Sequence, residues 1–325
     1  MTCLMKRTAL LCFPVFLSLA LAGCSSNPYA ATNKVYKKQA KAFAKTLRAT
    51  PVTNPGEDSL QLGDQWVGTT NFNLRKPNFV VIHHTAQNST EQTLKTFTVP
   101  RSQVSAHYVI GRDGKVYHML SDYLRAWHGG VGKWGNNSDL NSSSIGIELD
   151  NNGSEPFAEA QINSLLQVLA ILKKTHGIPA ANFIGHSDIA PSRKVDPNPT
   201  FPWKKLAQAG FGMWYDEEKV RNSVFESIIP PYQDSIAVTV DSAGLTKDST
   251  TVLVDIPAPG AVVAVDTIPV SFQPKDALRI IGYDVKNLEA AIKAFKLHFV
   301  QKEVNGILTD DDKKVLYHLY KKSLE

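Results

Sequence analysis

Cysteine is nearly missing from this 325-residue chain, and the three that occur, Cys3, Cys12 and Cys24, all stand within the first 24 positions. The body that follows has no thiol. That excludes a disulfide framework, a cysteine nucleophile and a thiolate metal site, so any metal there must be held by histidines and carboxylates. A large excess of one charge is also lacking: 35 Lys and Arg against 30 Asp and Glu leave a formal charge of +5. Such a balance calls for no nucleic acid, although an anionic wall or membrane surface would suit it. The apolar stretch near the start, Thr8 to Ala22, is too short to span a bilayer. With 43% hydrophobic and 20% charged residues, the composition is that of a folded globular protein. The length leaves room for one large domain and a smaller module.

What is present begins with a targeting segment. Lys6 and Arg7 precede the apolar stretch, and Leu-Ala-Gly-Cys closes it at Cys24, the layout of a signal peptide. This ending resembles the lipobox of bacterial lipoproteins, whose cysteine becomes the lipidated first residue. The resemblance implies loss of residues 1–23 and acyl (palmitate-type) chains on Cys24, which anchor a protein at roughly 0.8 kcal/mol per buried CH₂. Ser25 after the cysteine implies sorting to the outer membrane, facing the periplasm. An ordinary cleaved signal is the alternative. Residues 24–57 then read as a basic linker, since positions 31–50 hold six basic residues and no acidic one. A helix lying on anionic headgroups would use that charge; a solvated spacer is the simpler reading.

From 58 to 232 the pattern alternates strands and helices, which predicts an α/β fold with a mixed central β-sheet flanked by helices. Phe79–Ile82 is a continuous apolar run, and Ser105–Leu120 reads as a hairpin about a Gly-Arg-Asp-Gly turn. In Ser144–Asp150, Ile145, Ile147 and Leu149 share one face while Gly146, Glu148 and Asp150 share the other. Phe157–His176 carries a helical stripe of Ile162, Leu165, Leu166, Leu169 and Leu172, with Gly177 as its C-cap. Residues 182–186 form another short strand running into a histidine. Residues 233–270 read as a β-rich insertion or linker. Residues 271–325 read as a small helical domain, with Leu288, Ile292, Phe295 and Phe299 at helical spacing and Thr309 with Asp312 marking a helix start.

The chemistry lies where polar residues interrupt or end the buried strands, at His83 or His84, Glu148 and His186. The two adjacent histidines point to opposite faces of a strand, so only one of them can enter a given pocket. Asp196 follows His186 by ten residues. Two histidines and a carboxylate are a recurrent ligand set for catalytic zinc, leaving a fourth position for water. Lys194 shares a face with Asp196 in an extended segment. Glu148 projects from the Gly146 face, where the missing side chain is expected to leave space for a substrate. A metal that acidifies water, a carboxylate that moves its proton and a lysine beside the oxyanion suit amide hydrolysis.

Five separated blocks carry a more specific resemblance: VVIHHTA, SAHYVIGRDGKVYHM, AWHGG, SIGIELDN and GHSDIAPSRKVDPNPTFPW, over about 75–215. Their order and spacing resemble the zinc N-acetylmuramoyl-L-alanine amidases of the amidase-2 family, related to the peptidoglycan recognition proteins. The likeness is greatest to outer-membrane lipoprotein amidases with a C-terminal peptidoglycan-binding module, which residues 282–316 resemble. The resemblance implies Zn²⁺ held by His83, His186 and Asp196, Glu148 as the catalytic carboxylate, Lys194 as the transition-state lysine and His128 as a substrate contact. It leaves His84 as a neighbour on the opposite face. It implies a monomer acting on peptidoglycan or muropeptides, cleaving the lactyl amide between N-acetylmuramic acid, the 1,6-anhydro form included, and L-alanine. A non-catalytic peptidoglycan receptor and a zinc peptidase cutting within the stem peptide are the alternatives. Asp-Pro-Asn-Pro in place of the commoner Asp-Pro-Gly, and the 233–270 insertion, depart from the pattern. His107, Tyr108, His118, His176, His298 and His318 are expected to pack or to face solvent. Trp127 and Trp203 could line the site or belong to the core.

Overall fold

A computed structural model describes residues 27–48, 69–71, 73–226 and 266–325, in two units divided between Thr70 and Asn71. The lipobox with Cys24 and most of the 233–270 segment lie outside the described residues. In the first unit, α1 (Ala30–Arg48) is a single helix with no buried residue.

The second unit is built on a five-stranded sheet in the order β3-β2-β4-β1-β5. Along the chain come β1 (Phe79–His84), α2 (Thr90–Thr98), β2 (Tyr108–Ile110), β3 (Val116–His118), α3 (Leu140–Ser143), β4 (Ser144–Leu149), α4 (Glu159–His176), β5 (Phe183–Gly185) and α5 (His186–Ile189). Then follow α6 (Trp203–Gln208), α7 (Glu217–Asn222), β6 (Val224–Phe225), β7 (Thr267–Ile268), α8 (Pro274–Ile281), α9 (Leu288–Phe295) and α10 (Asp310–Leu324). β4 pairs parallel with both β1 and β2, β1 pairs parallel with β5, and only the β2–β3 hairpin is antiparallel. β6 and β7 form a separate two-stranded parallel pair.

Both faces of the sheet are buried, which is why β1 reads as a continuous apolar run rather than an alternation. Val80, Ile82, Ile145, Ile147 and Leu149 pack against the Ile162, Leu165, Leu169 and Leu172 stripe of α4. Each such side chain, once buried, contributes about 1.5–3 kcal/mol. The opposite face, bearing Val81 and Ile184, is covered by the C-terminal helices through Leu278, Ile281, Ile292, Phe295 and Leu316. The helical segment at 274–324 therefore completes the core of the sheet.

That segment starts its last helix as the sequence predicts: Thr309 Oγ1 accepts from Asp312 N at 3.2 Å, and Asp312 Oδ2 accepts from Thr309 N at 2.9 Å. The Leu288–Phe299 stripe is less regular than predicted, because α9 runs into one turn of π-helix over Lys296–Val300. The wider turn directs Lys296, Leu297, His298 and Phe299 all inward. Lys296, 1% exposed, is satisfied there by Asp312 at 3.0 Å, Asn305 Oδ1 at 3.1 Å and the Ile307 carbonyl at 3.1 Å.

One expectation is corrected. The space left by Gly146 is filled by protein: the His128 ring lies where a Cβ would stand, well inside van der Waals contact. We predict that Gly146→Ala expels His128 and costs about 1–3 kcal/mol of stability, the usual range for overpacking. Thermal unfolding of the purified chain measures this, and a melting temperature equal to that of the parent would refute the packing described.

Candidate metal centre

The register of the parallel strands assembles the site at their C-terminal ends, where open α/β sheets bind ligands. His83 lies opposite Glu148, and Ile82 lies opposite Gly185, so His186, one residue on, falls beside His83. Because alternate residues share a face, His83 stands on the side of Val81 and Glu148 on the side of Gly146. His186 opens α5, and Asp196 is tied to that helix by its carbonyl, which accepts from Ser187 N at 2.8 Å.

The result is a compact buried cluster. His83 Nδ1 lies 2.9 Å from His186 Nδ1 and 3.2 Å from Asp196 Oδ2, and His186 Nδ1 lies 3.0 Å from the same oxygen. The three residues are 1%, 3% and 8% exposed. They form the group of metal-ligating side chains found among the described residues.

The protons on these rings can be placed from their outer neighbours. His186 Nε2 is 3.1 Å from the Gly129 carbonyl, which can only accept, so Nε2 carries a hydrogen and the neutral ring keeps its lone pair on Nδ1. For His83 the chain is longer. Ser144 Oγ donates to the Leu140 carbonyl and so accepts from His128 Nε2 at 3.2 Å. His128 Nδ1 then has only a lone pair, and it accepts from His83 Nε2 at 3.1 Å. The second imidazole thus also turns a lone pair inward.

Burial, reinforced by the neighbouring His186, lowers the His83 pKa to about 4, so the ring is neutral at pH 7. With both rings neutral, two lone pairs and a carboxylate oxygen face one another. A bound cation would relieve that arrangement. The donor separations of 2.9–3.2 Å lie within a few tenths of an ångström of the ~3.3 Å edge that ~2.0–2.1 Å bonds make around a tetrahedral ion. The residues fit a bound metal ion.

Glu148 stands beside this cluster, its Oε1 4.0 Å from His83 Nδ1 and its Oε2 buried with no hydrogen-bond partner among the described residues. Burial, with Asp196 adding to it and Lys194 opposing it, raises its pKa to about 8. Lys194, His128 and His186 line an adjoining cleft of about 380 Å³, with Trp127, Arg125 and Arg193. His128 is thus both a wall of the cleft and the hydrogen-bond partner of His83. Trp127 is 48% exposed at the cleft, whereas Trp203, 2% exposed, belongs to the core.

The remaining histidines have other partners. His84, on the opposite face of β1, accepts from Asn198 N at 3.1 Å. His107 accepts from Gly146 N at 3.0 Å, while His118 and His176 both face Asp122. His318 Nε2 lies 2.6 Å from Ser223 Oγ. Sequence reasoning missed the outer residues Ser144, Gly129 and Asp188, whose partners are distant in the chain. A weak signal for Asp188 was available: an acidic residue at the third position of a helix that opens on a buried histidine.

Residues 73–199 match the family described as N-acetylmuramoyl-L-alanine amidase. The chain is 38% identical over 157 residues to the N-acetylmuramoyl-L-alanine amidase AmiD of Escherichia coli K12, covering 43% of this chain and 56% of that protein. It is 41% identical over 103 residues to the 1,6-anhydro-N-acetylmuramyl-L-alanine amidase AmpD of Enterobacter cloacae, covering 32% and 55%. The chain thus spans a little over half the length of these curated relatives. Among solved structures, the complex of Escherichia coli AmiD with anhydro-N-acetylmuramic acid-L-Ala-D-gamma-Glu-L-Lys superposes with a TM-score of 0.58 at 27% identity, over 81% of this chain and 95% of that one. AmpDh3 from Pseudomonas aeruginosa gives 0.58 at 25% identity, over 82% and 100%.

We predict that Asp196→Ala abolishes stoichiometric retention of a divalent ion, and that Ser144→Ala, which frees the His128 proton, weakens it about tenfold. Competition with a chromogenic chelator reads both. Unchanged ion affinity in Asp196→Ala would rule out the three-residue centre.

Proposed function

We propose, from the match of residues 73–199 to the N-acetylmuramoyl-L-alanine amidase family, that this chain is a zinc-dependent amidase of the cell envelope. It hydrolyses the amide joining the lactyl group of N-acetylmuramic acid, the 1,6-anhydro form included, to L-alanine of the stem peptide. The observation that carries this reading is the convergence of one ligand atom each from His83, His186 and Asp196 beside the unpartnered carboxylate oxygen of Glu148.

His83, His186 and Asp196 would hold the ion. Zinc bound there supplies Lewis acidity, toward water and toward the amide carbonyl. Glu148 takes the proton of the attacking water and delivers it to the departing amine of L-alanine, a role that suits a carboxylate whose pKa lies near neutrality. Lys194, in the cleft wall, steadies the negative charge developing on the carbonyl oxygen. His128 contacts substrate from the cleft while its Nδ1 keeps His83 in the ligating tautomer. Trp127 offers an exposed apolar surface to the sugar or peptide.

The envelope location rests on the lipobox at Cys24 and on α1. At 100° per residue, Tyr36, Ala40, Phe43 and Leu47 fall within an arc of about 60°, and all six basic side chains fall within one of about 100°. The two arcs are centred about 140° apart. Phe43 and Leu47 are 55% and 74% exposed. No described helix is long and apolar enough to cross a membrane. The segregation favours a helix lying on anionic headgroups over a solvated spacer.

Incubated with muropeptides and zinc, the purified chain is expected to release peptides beginning with L-alanine and free muramyl sugar, both read by mass spectrometry. Cleavage inside the stem, or binding without release, would overturn the activity. Glu148→Gln should keep its metal while turnover falls by at least about 10²-fold. Its charged form is the base, so the rate rises as pH climbs through its pKa. Lys194 lowers that pKa, and Lys194→Met should therefore move the acid limb of the kcat/KM profile to higher pH as well as slowing the reaction. An acid limb that stays in place would contradict the coupling. With Cys24→Ala, α1 should still bring the chain to vesicles rich in anionic phospholipid at low salt, and Phe43→Glu with Leu47→Glu should abolish this. Equal sedimentation with neutral vesicles would count against the headgroup reading.

A further inference from the structure

The helical segment at the C-terminus touches the metal centre through one buried carboxylate that the mechanism does not use. Asp188 is the third residue of α5, two after the ligand His186, and it is fully buried. Its Oδ2 accepts from Gly185 N at 2.7 Å and from His298 Nδ1 at 2.7 Å, and its Oδ1 accepts from Tyr283 O–H at 2.8 Å. His298 rides on the π-helical turn after α9, and its ring stacks on Trp203 at 3.8 Å and 17°. Tyr283 lies between α8 and α9.

Two further contacts close around the same site. The Gly282 carbonyl accepts from Gly135 N at 2.8 Å, and Trp134 packs so tightly on Gly282 that a Cβ there would enter its ring. This pins the loop that carries His128 and the Gly129 carbonyl. Gln301 Nε2 donates to the Pro199 carbonyl at 2.9 Å and to the Phe201 carbonyl, holding the loop that follows Asp196.

We infer that the C-terminal helical segment is a structural part of the metal centre, with Tyr283 and His298 as positioning residues that hold α5, and through it His186 and Asp196, in ligating geometry. The inference rests on the metal reading given above and goes beyond it, since resemblance assigns this segment only to wall binding. The physical reason is that α5 is a four-residue helix. So short a helix does not hold itself, because nucleation is unfavourable and each end leaves backbone groups unpaired. Asp188 supplies the missing partner at the N-terminus, and among the described residues the side chains that bond Asp188 in turn come from the helical segment. Ser187 N then carries the constraint to the Asp196 carbonyl.

The test uses the full chain. Tyr283→Phe and His298→Leu each delete one donor, and His298→Asn restores a donor near the Nδ1 position. Leu316→Ala, at a fully buried position of the same core away from Asp188, serves as the reference for general destabilisation. Zinc affinity and the rate of zinc release to a chelator are measured beside the melting temperature. The combined Tyr283→Phe, His298→Leu variant is expected to bind zinc about 10-fold or more weakly, the effect typical of lost outer-shell partners. His298→Asn should recover most of the His298→Leu loss, and Leu316→Ala should lower the melting temperature without weakening zinc. The inference is overturned if the combined variant holds zinc within twofold of the parent, or if Leu316→Ala loosens it equally. A parent chain that binds no zinc would instead fail the metal reading, and the positioning role with it.

Discussion

Two imidazoles, when neutral, and a carboxylate turn their lone pairs on one another in a space that water barely reaches, and the rest of the second unit is arranged around that fact. Facing acceptors gain nothing from each other, and burying them without a partner costs several kcal/mol. The arrangement persists because each ring is held from behind. The Gly129 carbonyl fixes His186, and the run from His128 through Ser144 to the Leu140 carbonyl fixes His83. A carbonyl at the end of each line is what makes the direction of the hydrogen bonds unambiguous, since it has no proton to give. The tautomers are therefore properties of the fold and exist before any ion arrives.

The sheet makes this possible by being buried on both sides for different reasons. On the α4 side the demand is simple close packing of β-branched and leucine side chains. On the other side the same strands carry Val81 and His83, Gly146 and Glu148, Ile184 and then His186, so apolar residues give way to functional ones within a single step of two. Gly146 is the hinge of that change. Any larger residue would occupy the volume of the His128 ring, and without that ring His83 loses the partner that sets its proton. A glycine that looks on paper like room for a substrate is room for a second layer of the site.

How far the sequence reveals this depends on the range of the interactions concerned. β1, β4, α4 and the start of α10 are legible because their signals are local: a short apolar run, an alternation, a stripe at helical spacing, a Thr309–Asp312 box. His83, Glu148 and His186 stand out because a polar group at the end of a buried strand is costly and invites a reason. The resemblance of the surrounding blocks selected His83 over His84, a choice that strand geometry alone left open. Ser144 and Asp188 gave no such signal. A serine opening a strand and an aspartate in a short helix are ordinary, and their importance comes from partners 16 and 110 residues away, His128 and His298. The π-helical turn is likewise silent, since the Leu288–Phe299 spacing fits an α-helix equally well.

The shared core also changes what the C-terminal helices can contribute to catalysis on a polymer. A module on a flexible tether raises the local concentration of its target, most strongly when the tether's length matches the distance to be spanned. These helices cannot act in that way, because Phe295, Leu316 and Leu319 pack in one cluster with Val81 and Ile184 of the sheet. Any wall contact they make is transmitted to the cleft as a fixed orientation. Orientation is itself a catalytic resource, since a bond presented at the right angle to the reacting groups reacts faster than one that arrives by tumbling. A rigid second layer thus ties together the geometry of the His83, His186 and Asp196 cluster and the orientation of the adjoining cleft.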